Sequence, residues 1–288
     1  MPKSEAILRR IGMHVSISGK LDQSVDRAKE VGCVGTFQIF TCSPRRWAAA
    51  ELKSNEVDLF KDKVAKGDFL VFAHMPYLPN LSSPEKSYFK KSVDTLTREI
   101  SRCEKLGVSR LVLHFGSHMG TSIESGHERI IEACKTAIAD SKDCKVRLLL
   151  ENSAGVKNSV GSKFEYVSKV LERIDEGKRT GVCLDTCHAF ASRYDLRNQD
   201  AVRSTMREFE NEIGLERLYL MHLNDSKGEI GCGKDRHEDI GRGYIGREGF
   251  RSLLNLEELQ NVPMILETPV EKEGDDKKNL QTVKSLIR

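Results

Sequence analysis

Eight short apolar runs recur along the chain, each closing on polar or turn residues. They are IGMHVS (11–16), CVGTFQIF (33–40), FLVFAHMPY (69–77), RLVLHFGSH (110–118), VRLLLENS (146–153), TGVCLDTCHAF (180–190), LYLMHLND (218–225) and VPMILETPV (262–270). Their cores are nearly continuous in Val, Ile, Leu, Met and Phe. A strand with one wet face alternates apolar and polar residues, so uninterrupted runs predict parallel strands covered on both faces. Charged amphipathic stretches of helical length lie between them, at 24–32, 87–107, 127–142, 163–177 and 199–214, with a last helix at 277–287. Gly32, Gly107, Gly177 and Gly214 fall just before the next run, where a left-handed residue closes a helix.

Repeated strand-then-helix units predict an α/β fold, a (β/α)8 TIM barrel, as a single domain over 1–288. An open doubly wound sheet fits less well, because eight near-equal units need no edge strand and no glycine-rich phosphate loop follows the first run. The segment 226–246, SKGEIGCGKDRHEDIGRGYIG, is too long and too rich in Gly and charge for a plain turn.

With 39% hydrophobic and 31% charged residues over 288 positions, the chain has the composition of a soluble globular protein. No apolar run is long enough to span a bilayer, and MPKSEAILRR is too polar for a secretory signal. A cytoplasmic, monomeric protein is expected. Eight cysteines without a CxxC pair, in a long chain lacking an export signal, read as reduced thiols. A formal charge of +3 permits a polyanionic partner without requiring one.

Chemistry in this fold sits at the C-terminal ends of the strands. The residues closing the runs are His74, His114 with His118 beyond, Glu151 and Asn152, Asp185 with His188, His222 with Asn224 and Asp225, and Glu267. The loop after the seventh run adds Asp235 and His237. A lone strand-end His is most simply a hydrogen-bonded structural residue. A carboxylate closing LLL (Glu151) or MIL (Glu267) must be paired, protonated or metal-bound, because unpaired burial is costly. Six of the eight His and five acidic residues fall in this set, ligand types suited to Zn²⁺, Mn²⁺ or Fe²⁺ rather than to Mg²⁺ alone. The nine candidates His74, His114, Glu151, Asp185, His188, His222, Asp235, His237 and Glu267 exceed one coordination shell and suffice for two or three ions. Clustered cations favour phosphoester hydrolysis. His14 reads as a core or supporting residue, His127 as a surface residue starting a helix, and His118 as structural or supporting.

The loop TCSPRRW (41–47) places Arg45, Arg46 and Trp47 on the same rim, and MPYLPN adds Tyr77 and Asn80. Arg193, Lys227, Arg236 and Arg242 join them. Singly each charge is a solvated surface group, and Trp47 can equally pack its loop against the first helix. Together they suggest a DNA groove, with Arg on phosphates and an aromatic stacking on bases.

Seven segments carry a family resemblance: HMPY (74–77), LHFGSH, LLLENSAG (148–155), GVCLDTCHAFASRYD (181–195), MHLNDSK (221–227), DRHEDIGRGYIG (235–246) and ILETP (265–269). On these the chain resembles endonuclease IV, the metal-dependent apurinic/apyrimidinic (AP) endonuclease family. The resemblance implies three zinc ions: one on His74, His114 and Glu151, a second on Glu151, Asp185, His222 and Glu267, a third on His188, Asp235 and His237. It implies hydrolysis of double-stranded DNA immediately 5′ to an abasic site, leaving a 3′-hydroxyl and a 5′-deoxyribose phosphate. Glu267 and Glu151 would be catalytic, and Arg45, Trp47, Tyr77, Asn80 and Arg242 would contact DNA. The chain departs from the family pattern at Phe115, where Pro is usual, and at CSP (42–44) before Arg45.

Overall fold

A computed structural model describes residues 9–174 and 179–288. Eight parallel strands form one sheet: β1 (Ile11–Met13), β2 (Thr36–Phe40), β3 (Leu70–His74), β4 (Arg110–His114), β5 (Arg147–Glu151), β6 (Thr180–Asp185), β7 (Leu218–Leu223) and β10 (Met264–Leu266). Their order is β1-β10-β7-β6-β5-β4-β3-β2, so the two ends of the sheet are the first two strands of the chain. They meet. Val15 N–H donates to Gln38 C=O at 2.8 Å, and Ile11 and Val34 exchange hydrogen bonds at 2.9 and 2.8 Å. Gly12 is required at this seam, since a Cβ there would lie 2.0 Å from the Thr36 carbonyl oxygen. The expected barrel is present.

The expected helices form as α1 (Gln23–Val31), α3 (Lys86–Leu106), α4 (Ile123–Asp140), α5 (Phe164–Ile174), α7 (Gln199–Glu212) and α9 (Asp275–Leu286). Two further helices, α2 (Ser54–Lys66) and α8 (Gly246–Leu254), were not expected; α2 buries only Val57 and Phe60, so its pattern in the sequence is weak, whereas α8 buries Phe250, Leu253 and Leu254 directly after the long Gly-rich segment. Gly32 and Gly107 close α1 and α3 with φ of 95° and 71°. Gly214 also has positive φ, at 92°, one residue beyond the α7 cap at Ile213. Gly177 lies outside the described residues. The helix expected to begin at His127 starts a turn earlier, because Ser122 caps it by accepting Ser125 N–H. Among the described residues, no helix is long and apolar enough to cross a membrane.

The sixth run divides in two. Its strand ends at Asp185, and α6 (Thr186–Ser192) begins at once. The Asp185 carboxylate causes the switch by accepting His188 N–H at 2.7 Å as a helix cap. The long segment after β7 is also ordered: β8 (Asp225–Ser226) pairs antiparallel with β9 (His237–Glu238).

Alternation along the strands separates two environments. One face packs under the helices in a large core. The other fills the barrel with Phe72, Val112, Leu149, Cys183, Leu220 and Ile265, all fully buried. Two residues further along the same strands, on the same face, stand His74, His114, Glu151, Asp185, His222 and Glu267.

Candidate metal centre

Register brings the strand-end residues to one level. His114 pairs with Glu151 across β4 and β5, and Asp185 pairs with His222 across β6 and β7. Glu151 lies at the middle with its two oxygens facing different groups. Oε2 is 3.1 Å from His74 Nε2 and 3.6 Å from His114 Nε2. Oε1 is 3.2 Å from His222 Nδ1. The Glu267 and Asp185 carboxylates complete the second side: His222 Nδ1 is 3.2 Å from Glu267 Oε2 and 3.9 Å from Asp185 Oδ2. Ligand atoms of His74, His114 and Glu151 lie within 4.8 Å of one another, as do those of Glu151, Asp185, His222 and Glu267.

Asp235 anchors a third group. Its oxygens are each 3.2 Å from an imidazole nitrogen, Oδ2 from His188 Nε2 and Oδ1 from His237 Nε2. Both nitrogens are buried and, apart from these contacts with Asp235, neither has a hydrogen-bond partner among the described residues. Buried imidazole nitrogens converging on one carboxylate are what a cation site requires. Cys187 also lies within reach of Asp235 and His237. Burial and the nearby Asp185 charge push its thiol up to about 12 in the absence of a cation.

The surrounding residues orient these groups. His74 Nδ1 donates to Met75 C=O at 2.7 Å, His188 Nδ1 to Asn152 C=O at 2.9 Å, and His237 Nδ1 to Glu267 C=O at 3.1 Å. A carbonyl only accepts, so each ring is protonated at Nδ1 and turns Nε2 toward the centre. Asn224 Nδ2 donates to Asp185 Oδ2 at 2.6 Å while its Oδ1 accepts Glu267 N–H at 2.9 Å. Asn152 clamps the Asp185 backbone through its own amide, at 2.7 and 3.1 Å.

Without cations, protons hold the charges apart. Burial works against ionisation of Glu151, yet the His114 and His222 imidazoles hold it well below the usual carboxylate range. Burial opposes charge on His188 and His222 too, but neighbouring acidic groups raise both well above the ordinary imidazole value. For His237, burial is outweighed by Asp235 and Asp185, which push it up to about 9. In contrast, burial lowers His114.

All nine residues expected as ligands therefore meet at one end of the barrel. His14 lies beside them, with Nδ1 3.3 Å from Glu267 Oε1, in agreement with a supporting role. His127 is half-buried, against Val160 C=O at 3.2 Å. His118 stays in the loop after β4, where its backbone carbonyl accepts Thr121 N–H at 3.0 Å. Gln38 was missed. It is fully buried and contacts both His222 and Glu267. Its one trace in the sequence is a lone amide inside the apolar run TFQIF.

The rim residues divide by environment. Arg45 and Arg46 are exposed. Their loop is held from below by Glu99, fully buried on α3, which accepts from the Thr41 hydroxyl and from Cys42 Sγ. Arg102 adds bonds to Thr41 C=O and Ala50 C=O at 2.5 and 2.7 Å. So Cys42 of CSP faces inward. Trp47 packs edge-on against Tyr88 at 5.2 Å, under Lys91 Nζ at 4.3 Å, on α3 rather than on α1. Tyr77 is 62% exposed and stands over the His74 ring, centroids 6.0 Å apart. Asn80 uses its side chain within the protein, accepting Ser117 and Ser82 N–H and donating to Ser117 C=O at 2.9 Å. Arg242 is exposed, on a turn gathered by Asp225, whose fully buried carboxylate accepts N–H groups of Gly241, Gly243 and Ile245 at 2.9, 3.0 and 2.9 Å. Phe115 is fully buried against Gly161, where any Cβ would lie 2.3 Å from the ring. The two positions are matched in size.

Residues 25–287 match the family model of xylose isomerase-like TIM barrels. The chain is 44% identical to the probable endonuclease 4 of Nitrosopumilus maritimus, covering 96% of this chain and 99% of the relative. It is 45% identical to that of Methanoculleus marisnigri, covering 96% and 98%. The crystal structure of endonuclease IV from Thermus thermophilus superposes with a TM-score of 0.84 at 33% identity, over 96% of this chain and 98% of that one. With this agreement over nearly its whole length, the chain belongs to the endonuclease IV family.

Proposed function

We propose that the chain is a zinc-dependent AP endonuclease of base excision repair, acting as a single barrel and a monomer in the cytoplasm, nucleoid-associated if its source is prokaryotic. It hydrolyses the phosphodiester 5′ to an abasic site in double-stranded DNA and leaves a 3′-hydroxyl and a 5′-deoxyribose phosphate. The observation that carries this reading is Glu151, whose two oxygens each face a separate group of ligand atoms. A carboxylate so placed bridges two cations, and paired cations suit phosphoester cleavage. The preponderance of imidazole supports zinc.

Three ions are assigned: one to His74, His114 and Glu151, one to Glu151, Asp185, His222 and Glu267, and one to His188, Asp235 and His237. When bound they would supply a nucleophile at neutral pH and neutralise charge on the phosphate oxygens. The chain's own residues do the rest. Glu267 is held at its backbone by Asn224 and directs Oε2 into the ligand group, where it orients the attacking group against the phosphorus. Tyr77 and Arg45 stand on the rim above, placed to support a deoxyribose without a base. Arg242 meets backbone phosphate; Trp47 braces the Arg45 loop and Asn80 braces the Tyr77 loop, each beside the strand it serves. Recognition then depends on backbone contact and on the low cost of deforming DNA at a missing base.

A synthetic duplex with one abasic site, incubated with purified protein without added Mg²⁺, tests the proposal. Nicking at the 5′ side and close to three zinc equivalents by elemental analysis are expected. One metal equivalent together with an intact duplex would overturn it.

A further inference from the structure

Four of the clustered histidines have one ring nitrogen turned to the ligand atoms and the other bonded outward. In His74 and His237 the outward nitrogen is Nδ1, bound to a backbone carbonyl, and His188 Nδ1 is bound to the Asn152 carbonyl while also lying 3.2 Å from Glu151 Oε1. His222 is reversed. Its Nδ1 faces Glu151 and Glu267, and its Nε2 lies 3.0 Å from Gln38 Oε1.

The polarity of that contact follows from the far end of the Gln38 amide. Gln38 Nε2 lies 2.6 Å from Glu267 Oε1. A carboxylate oxygen only accepts, so this end of the amide carries the hydrogens and the other end is the oxygen. An amide oxygen also only accepts, so His222 must carry its proton on Nε2. Nδ1, facing Glu151 and Glu267, is then the nitrogen that would give up its proton to a cation. The second hydrogen of Gln38 Nε2 has an acceptor in His14 Nδ1, at 3.0 Å. Glu267 is divided by the same contact: Oε1 is taken by Gln38, and Oε2 remains beside His222 Nδ1, at 3.2 Å.

We propose that Gln38 is a positioning residue that assigns one coordinating atom to each of two ligands, Nδ1 to His222 and Oε2 to Glu267. The inference rests on the reading of this cluster as a cation site. A backbone carbonyl can only accept. A side-chain amide carries a donor and an acceptor about 2 Å apart, so one residue sets both ligands and their relative orientation. Outer partners of this kind strengthen metal binding by about 10- to 100-fold.

The test uses the zinc-loaded full chain and three readouts: zinc retained against a chelator series, the imidazole ¹⁵N shifts of His222, and kcat with KM on an abasic duplex. Gln38→Leu removes both contacts. One zinc equivalent is expected to bind about 10- to 100-fold more weakly while the rest are held as in the parent. Gln38→Glu keeps the acceptor for His222 and removes the donor for Glu267. It is expected to leave the His222 proton on Nε2 and KM unchanged, and to lower kcat. The proposal is overturned if Gln38→Leu holds every zinc within twofold of the parent, or if the parent His222 carries its proton on Nδ1. If Gln38→Leu does not fold, the nearly isosteric Gln38→Glu decides alone, and parental kcat and zinc affinity there overturn the proposal. The zinc and ¹⁵N readouts use no DNA, so a parent that holds zinc but leaves the duplex intact overturns the nuclease reading and not this one.

Discussion

Two layers of the barrel interior, two residues apart on the same strands, are built on opposite principles. The lower layer, Phe72, Val112, Leu149, Cys183, Leu220 and Ile265, is fully buried and apolar. The upper layer, His74, His114, Glu151, Asp185, His222 and Glu267, is nearly as well covered at Glu151, Asp185 and His222, which have no exposure. Its side chains are imidazoles and carboxylates. The lower layer gains free energy by leaving water, while the upper layer loses solvation that only protons or cations restore. The strands that end in the site are thus held by the layer beneath it. A layer that would destabilise a free-standing sheet is tolerated because its backbone is already fixed.

The comparison breaks most sharply at Glu267. Glu267→Gln is expected to lower cleavage of abasic DNA by about 10²- to 10³-fold with DNA affinity unchanged, as read by single-turnover nicking and a binding titration. Equal loss of binding would make the residue structural. Leu149→Ala, directly below Glu151, should do the reverse. It should cost about 2–5 kcal/mol of stability in chemical denaturation and leave the kcat of the folded, zinc-loaded fraction near the parent value.

Acid–base behaviour sharpens the same contrast. In the metal-free protein His237, raised from 6.5 to about 9, contributes stability that is complete below about 6.5 and is lost as pH rises through about 9. A cation binding there must displace that proton. Zinc affinity should therefore climb between pH 6.5 and 9, with proton uptake by buffers of different ionisation enthalpy in calorimetry; a flat profile would show His237 to be uninvolved. The smallest effect is on the rim. Arg45→Ala should weaken DNA binding and reduce the salt slope by about 1 without changing zinc content, and an unchanged slope would remove Arg45 from the DNA contact.

The run-and-helix pattern carried the barrel because parallel strands covered on both faces leave long apolar stretches. It carried the ligands for a related reason. A carboxylate after LLL or MIL has no solvated explanation, and Glu151 and Glu267 were visible on that ground alone. The pattern failed where an element's pattern is weak or its neighbours decide its form. Helix α2 buries only Val57 and Phe60. The run 180–190 hides a strand-to-helix switch made by one side chain, Asp185. Trp47 was legible as a rim aromatic, but its packing on Tyr88 and Lys91 joins positions 41 residues or more apart and has no local signature.

The sequence by itself determined which residues are reactive, that they close strands, and that strands and helices alternate. Period and residue chemistry are local properties of a chain, and they survive without coordinates. Only the tertiary structure decided which atoms face one another. Register set Asp185 beside His222, closure of the first strand on the second brought Gln38 to Glu267, and the outward bonds of the imidazoles chose Nε2 in three histidines and Nδ1 in His222. Those choices depend on groups up to 229 residues apart, and a hydrogen bond between them exists only once the barrel has closed.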